Sequence, residues 1–166
     1  VSSLRLARLI RRVGRVAEPA PAGPSADQAE GYRPDPVLAG SAQVRHVDCG
    51  SCNGCEVEVG AVFGPVYDAD RYGARLVASP RHADVLLMTG VVTRNMLEPL
   101  RRTVEATPNP RVVVAVGDCA LTGGVFSDGY GVLGAVDDVV PVDLGVPGCP
   151  PEPEAIVAAL RRVTQR

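Results

Sequence analysis

Apolar residues recur along this chain in two rhythms, and together they predict alternating strands and helices. Apolar runs occupy Ala83-Asp84-Val85-Leu86-Leu87-Met88-Thr89, with Asp84 near its start, and Arg111-Val112-Val113-Val114-Ala115-Val116-Gly117, unbroken after Arg111. Runs this short, closed by glycine and rich in β-branched residues, predict strands buried on both faces. Val44-Arg45-His46-Val47 reads as a shorter strand, and Val139-Val140-Pro141-Val142 as a weaker third. Helices are predicted over 54–62, ended near Pro65, and over 94–107, stopped by Pro108 and Pro110. Pro99 lies in the first turns of the second helix, where a missing N–H is tolerated. A closing helix over 152–166 is started by Pro151 and Pro153. Strands and helices in this alternation predict an α/β domain over 43–166, an open parallel sheet flanked by helices, flavodoxin-like in type.

The first 42 residues follow a different pattern. Leu6, Leu9, Ile10, Val13 and Ala17 recur at helical spacing, with Arg5, Arg8, Arg12 and Arg15 mostly on the other face. This predicts an amphipathic helix over 3–16, either solvated or docking to a membrane or a partner subunit. Residues 18–40 are rich in Pro, Ala and Gly and read as an extended linker.

Composition narrows the function classes. At 46% hydrophobic the chain can bury a core, and at 4% aromatic with no Trp that core must be aliphatic. A net charge of −2 argues against a general nucleic-acid binder, which carries a basic stripe. No run approaches the roughly 18 apolar residues of a membrane span. Arg11-Arg12 does not lead into an apolar export segment, because Pro19, Pro21 and Pro24 interrupt the stretch after it. A reducing cytoplasm is therefore the expected compartment, and clustered cysteines there read as metal-binding or catalytic.

Five cysteines are present, an odd number that does not suit a disulfide framework. Cys52 and Cys55 form a Cys-x-x-Cys pair, while Cys119 and Cys149 stand singly in Gly117-Asp118-Cys119 and Pro147-Gly148-Cys149-Pro150-Pro151. Each follows a predicted strand, and sites in open α/β sheets lie outside the carboxyl ends of the strands, so all can converge on one edge. Three chemistries compete. A structural four-cysteine zinc site usually pairs two Cys-x-x-Cys knuckles, whereas the second half here is split into single cysteines. A redox dithiol of the Cys-x-x-Cys kind leaves Cys119 and Cys149 unexplained. An iron–sulfur cluster suits single ligands from separate loops, and Cys149-Pro150 repeats the Cys-Pro that ends ferredoxin motifs. Cys49-x-x-Cys52-x-x-Cys55 also copies the first three ligands of a ferredoxin run, but the fourth would fall at Val59.

These segments carry a family resemblance. Cys52-Asn53-Gly54-Cys55-Glu56-Val57-Glu58, Gly117-Asp118-Cys119-Ala120 with Gly123-Gly124, and Pro147-Gly148-Cys149-Pro150-Pro151-Glu152-Pro153-Glu154 resemble the small subunit of energy-converting (group 4) [NiFe] hydrogenases and formate hydrogenlyases. That family is related to the 20 kDa subunit of NADH–quinone oxidoreductase (complex I). The resemblance covers about residues 43–163. It implies one [4Fe–4S] cluster ligated by Cys52, Cys55, Cys119 and Cys149. It further implies a non-catalytic electron-transfer role beside a hydrogenase-like or complex I-like large subunit, a polyferredoxin-type iron–sulfur subunit and membrane-arm subunits. Such a protein would sit peripherally on the inner face of the cell membrane. The complex I branch carries adjacent cysteines in its first motif, so Cys-Asn-Gly-Cys is the hydrogenase-like form.

Cys49 is read as an unligated thiol near the cluster, with a substitute ligand or a redox-sensitive extra sulfur as the alternatives. Glu56 opens a helix, where a carboxylate is favoured electrostatically, and could also handle protons or contact a partner. Asp118 is read as satisfying turn N–H groups. Cys49, Glu56 and Asp118 are thus candidates for the surroundings of the cluster. His46 and His82 could tune it through hydrogen bonds but do not read as ligands. No dinucleotide fingerprint appears among the glycines of 117–134.

Overall fold

The structure, a computed structural model, describes residues 31–166. The helix expected over 3–16, and the linker before Gly31, lie outside the described residues. The chain runs through β1 (Ala42–Asp48), α1 (Gly54–Val62), β2 (Ala74–Leu76), β3 (Val85–Thr89), β4 (Val92–Thr93) and α2 (Leu97–Ala106). It continues through β5 (Val112–Val116), α3 (Asp118–Thr122), β6 (Val132–Gly134), β7 (Leu144–Val146) and α4 (Pro153–Thr164). Five strands pair in parallel in the order β2-β1-β3-β5-β7. That is the flavodoxin-type order. β4 and β6 form a small antiparallel pair of their own.

The pleat divides the core into two layers. Val44, Val85, Leu87, Val114, Val116 and Val146 point to one face, where Val59 and Val62 of α1 and Ile156, Leu160 and Val163 of α4 cover them. Val47, Leu86, Met88, Val113 and Ala115 point to the other, against Leu100 of α2 and Ala120, Val136 and Val140. Every residue of β3 and β5 is buried, as the two unbroken apolar runs require.

The expected elements hold with three corrections. The third strand is not at 139–142: Val139 and Val140 both donate to the carbonyl of Val136 in a turn. Pro141 has no N–H to offer a ladder, and pairing with β5 begins only where the Asp143 amide donates to Val113. The Asp143 carboxylate also accepts from the Val113 amide at 2.8 Å, so the strand that follows is Leu144–Val146. The second helix starts at Leu97, after a turn in which the Arg94 amide donates to Gly131 and the Met96 amide to Thr93. Finally, the last part of the expected linker packs on the domain. Asp35 caps a 3-10 turn over Pro36–Leu38 by accepting from Val37 at 2.9 Å, Leu38 is buried, and the Gly40 amide donates to Thr164.

Leu87 is fully buried in the middle of the central strand. Leu87→Ala is expected to cost about 2–5 kcal/mol of stability, read as a lower denaturant midpoint with an unchanged slope.

Candidate metal centre

The carboxyl ends of β1, β5 and β7 lie at one edge of the sheet, and each feeds a cysteine-bearing loop. After β1, the Asp48 carboxylate accepts from the amides of Gly50 and Ser51, both at 2.8 Å, turning the chain back toward the sheet. Ser51 Oγ accepts from Asn53, which is left-handed at φ 72, and α1 then begins. Cys52 sits exposed in this turn and Cys55 buried in the first turn of α1.

The other two loops are tied to each other. The Asp118 amide donates to Gly148 carbonyl at 2.9 Å, and Asp118 Oδ1 accepts from the Gly148 amide at 2.7 Å. The Gly117 amide donates to Val146, extending the β5–β7 ladder into the loops. Cys119 is buried at the start of α3, while Cys149 is exposed at a cis bond to Pro150.

Two glycines make room for sulfur. A Cβ on Gly117, which sits at φ +93, would lie 2.6 Å from Cys55 Sγ. A Cβ on Gly124, at φ +48, would lie 2.9 Å from Cys119 Sγ. Either contact is far inside the van der Waals separation of carbon and sulfur. Only glycine lets the backbone pass this close in these conformations.

Cys55 and Cys119 feel the other cysteines of the set. Burial pushes the Cys55 thiol up to about 11, and after it the charges of Glu56, Cys119, Cys52 and Cys149 push the same way. Cys119 is likewise raised by burial and then by Cys149 and Cys52, against a backbone hydrogen bond from Val125. A set of thiols at once part-buried and mutually repelling is what a cation neutralises. Among the described residues, no three His, Cys, Asp or Glu side chains converge closely enough to hold a single metal ion.

The remaining candidates separate. Cys49 is fully buried in the layer opposite Cys55, and its thiol donates to the Val47 carbonyl at 3.8 Å. Burial pushes it up to about 12, followed by Asp48 and Glu56, with no cysteine among the causes. Its backbone latches β1 to its neighbours, donating to Thr89 and accepting from Thr93. His82 is exposed in a 3-10 turn before β3, at the amino end of the sheet and away from the thiols. Glu56 reaches inward: the Thr89 hydroxyl donates to Glu56 Oε1, and His46 Nε2 lies 2.9 Å from Thr89 Oγ1 and 3.5 Å from Glu56 Oε1. Sequence reasoning passed over Thr89, although a hydroxyl ending an otherwise apolar strand was a signal.

A flavodoxin-type parallel sheet with four cysteines in the loops at its carboxyl edge defines an α/β protein. The chain belongs to the family described as NADH ubiquinone oxidoreductase, 20 Kd subunit, whose model matches residues 52–163. It is 51% identical over 115 residues to formate hydrogenlyase subunit 7 of Escherichia coli (strain K12), covering 69% of this chain and 45% of that protein. It is 51% identical over 114 residues to the probable membrane-bound hydrogenase subunit mbhJ of Pyrococcus furiosus, covering 69% and 68%. Spinach chloroplast NAD(P)H-quinone oxidoreductase subunit K is 43% identical over 113 residues, covering 68% and 50%. The match thus spans about half the length of the E. coli and spinach relatives. Among solved structures, a chain of the membrane-bound sulfane sulfur reductase, an archaeal respiratory membrane complex, superposes with a TM-score of 0.68 at 32% identity, covering 78% of this chain and 71% of that one.

Thiol reactivity follows from the burial pattern, since the thiolate is the reacting form. In metal-free protein near neutral pH, iodoacetamide is expected to modify exposed Cys52 and Cys149 first and Cys49 last, read by peptide mass spectrometry. Cys49 labelling as fast as Cys149 would contradict the buried, protonated thiol.

Proposed function

We propose that Cys52, Cys55, Cys119 and Cys149 hold one [4Fe–4S] cluster, and that the chain relays single electrons within a multisubunit oxidoreductase. What supports the reading is that three loops carry the four thiols to one edge, that Cys55 and Cys119 are raised in part by the other cysteines, and that Gly117 and Gly124 leave room for their sulfurs. A cluster spreads its thiolates over several metal atoms, so it does not require the sulfurs to meet on one ion as zinc at about 2.3 Å does. The group, when bound, takes up and releases one electron at a potential set by burial, charge and hydrogen bonds to sulfur. The chain's own residues supply those conditions. Gly117 and Gly124 admit the sulfurs, the Asp118–Gly148 pair fixes two ligand loops, and the aliphatic layer of Val59, Val116 and Val146 excludes water from behind.

The same edge supports a reading of the partners. Cys52 and Cys149 are exposed, and the segment after α3 exposes Val125, Phe126, Tyr130 and Leu133. A cluster so placed needs a covering protein, and an apolar rim of this kind suits one. A hydrogenase-type large subunit is the reading that the Cys-Asn-Gly-Cys spelling favours. A complex I-like quinone-reducing large subunit is the alternative. Electrons would pass on to a polyferredoxin-type subunit, with the assembly held by membrane-arm subunits on the cytoplasmic face. No helix among the described residues is long and apolar enough to cross a membrane.

Anaerobically purified complex is expected to contain about four irons and four sulfides per chain and to give a low-temperature EPR signal on reduction. One zinc and no iron would defeat the relay and leave a structural zinc site held by the same four cysteines. Gly117→Ala is expected to displace Cys55 and cut the iron content severalfold while the chain stays folded by circular dichroism. Tyr130→Asp with Leu133→Asp is expected to release the large subunit in a pull-down without loss of iron; an intact complex would reject this rim as the contact.

A further inference from the structure

Helix α1 carries more apolar surface than the domain covers. Within Gly54–Val62 only Glu56 and Glu58 are charged, and the other residues are Val, Ala, Gly and Cys. A helix apolar on nearly every side belongs in an interior. Yet only Cys55, Val59 and Val62 are buried. Val57 is 63% exposed, and Val66, in the turn just after the helix, is 80% exposed. Gly60 shares the face of Val57 three residues on, and a Cβ there would meet nothing within 4 Å. The outer face of α1 is therefore apolar, low and open.

Carboxylates flank this face. Glu58 follows Val57 on α1, and Glu152 and Glu154 stand at the start of α4, which packs against α1. Tyr67, next to Val66, lies near all three. Its phenol is raised by burial and then by Glu154, with which it shares a hydrogen bond, and by Glu58 and Glu152. Among the described residues, no arginine forms an ion pair with any of these three carboxylates. An occupant that fits this face brings apolar side chains and positive charge together.

The chain contains such a segment. Residues 3–17, outside the described residues, hold five arginines and no carboxylate. Leu6, Leu9, Ile10, Val13 and Ala17 form a stripe at helical spacing, and Arg5, Arg8, Arg12 and Arg15 mostly fall off it. The tether is long enough. Tyr32, at the start of the described chain, packs on the core layer that α1 and α4 cover. From there residues 18–30 can reach up to about 43 Å when extended. A domain of this size has a radius of gyration of about 14 Å.

We propose that residues 3–17 dock on the outer face of α1 in the same molecule. The apolar stripe lies against Val57 and Val66, and the arginines meet Glu58, Glu152 and Glu154. Gly60 lets the segment come close, because the side chains at a contact set how near two packed elements approach. The apolar contact supplies most of the attraction, since exposed ion pairs contribute little. The charges select the face and orient the segment on it. Once docked, the segment removes from water the helix whose first turn carries Cys55. This inference does not depend on the electron-relay reading.

The test is photo-crosslinking in the anaerobically purified complex, with p-benzoylphenylalanine in place of Val57. The main cross-link is expected to join position 57 to a peptide within residues 3–17, with the chain still running at monomer mass on a denaturing gel. A link to a second copy would double that mass, a link to another subunit would add that subunit, and a link to lipid would add one lipid. Any of these as the main product, or no cross-link, overturns the proposal. Arg8→Glu with Arg12→Glu sets carboxylates against carboxylates and is expected to cut the yield severalfold; an unchanged yield also overturns it. Neither readout involves iron, so failure here leaves the relay standing, and a complex without iron leaves this docking standing.

Discussion

The candidate centre depends on a reciprocal pair of hydrogen bonds between Asp118 and Gly148. Through its amide and its carboxylate, Asp118 engages both polar groups of the Gly148 backbone, at 2.9 and 2.7 Å. This clamps the loop of Cys119 to the loop of Cys149, two segments thirty residues apart in the chain. The β5–β7 ladder brings those loops side by side, and the clamp fixes their height relative to each other. Gly117 then lies against Cys55 Sγ, which joins the third loop to the other two.

As proposed ligands, these cysteines must change protonation state. Burial and mutual repulsion favour the protonated thiols of Cys55 and Cys119, whereas a metal ligand must be a thiolate. Under the proposed reading, binding a cluster would release those protons, and its positive charge would offset the repulsion between the thiolates. The sheet must hold the loops together in the meantime. Its two aliphatic layers do so, with β3 and β5 buried along their whole length. Cys49 sits in the other layer of the core, and burial strongly raises its thiol.

Much of this was legible in the sequence because the signals were local. The apolar runs ended by Gly90 and Gly117 marked the two central strands, the helix over Gly54–Val62 fell where expected, and the cysteines stood just past strand ends. What was not legible depends on contacts distant in sequence. Val139–Val142 has the composition of a strand, but Pro141 cannot donate and the Asp143–Val113 pair sets the register one step later. Leu144-Gly145-Val146 and Ala74-Arg75-Leu76 are too short to show a period. Leu38 in the Pro-rich stretch is buried only because α4 ends beside it, at Thr164. Likewise, no spacing rule links His46, Glu56 and Thr89, which lie up to 43 residues apart and meet only when β1, β3 and α1 pack.

Anomalous scattering from the anaerobically prepared complex, collected at the iron and zinc absorption edges, tests the central claim most directly. The account requires iron density enclosed by Cys52, Cys55, Cys119 and Cys149, with Cys49 outside it. Zinc density in that place, or iron bound with Cys49 replacing one of the four, would contradict it.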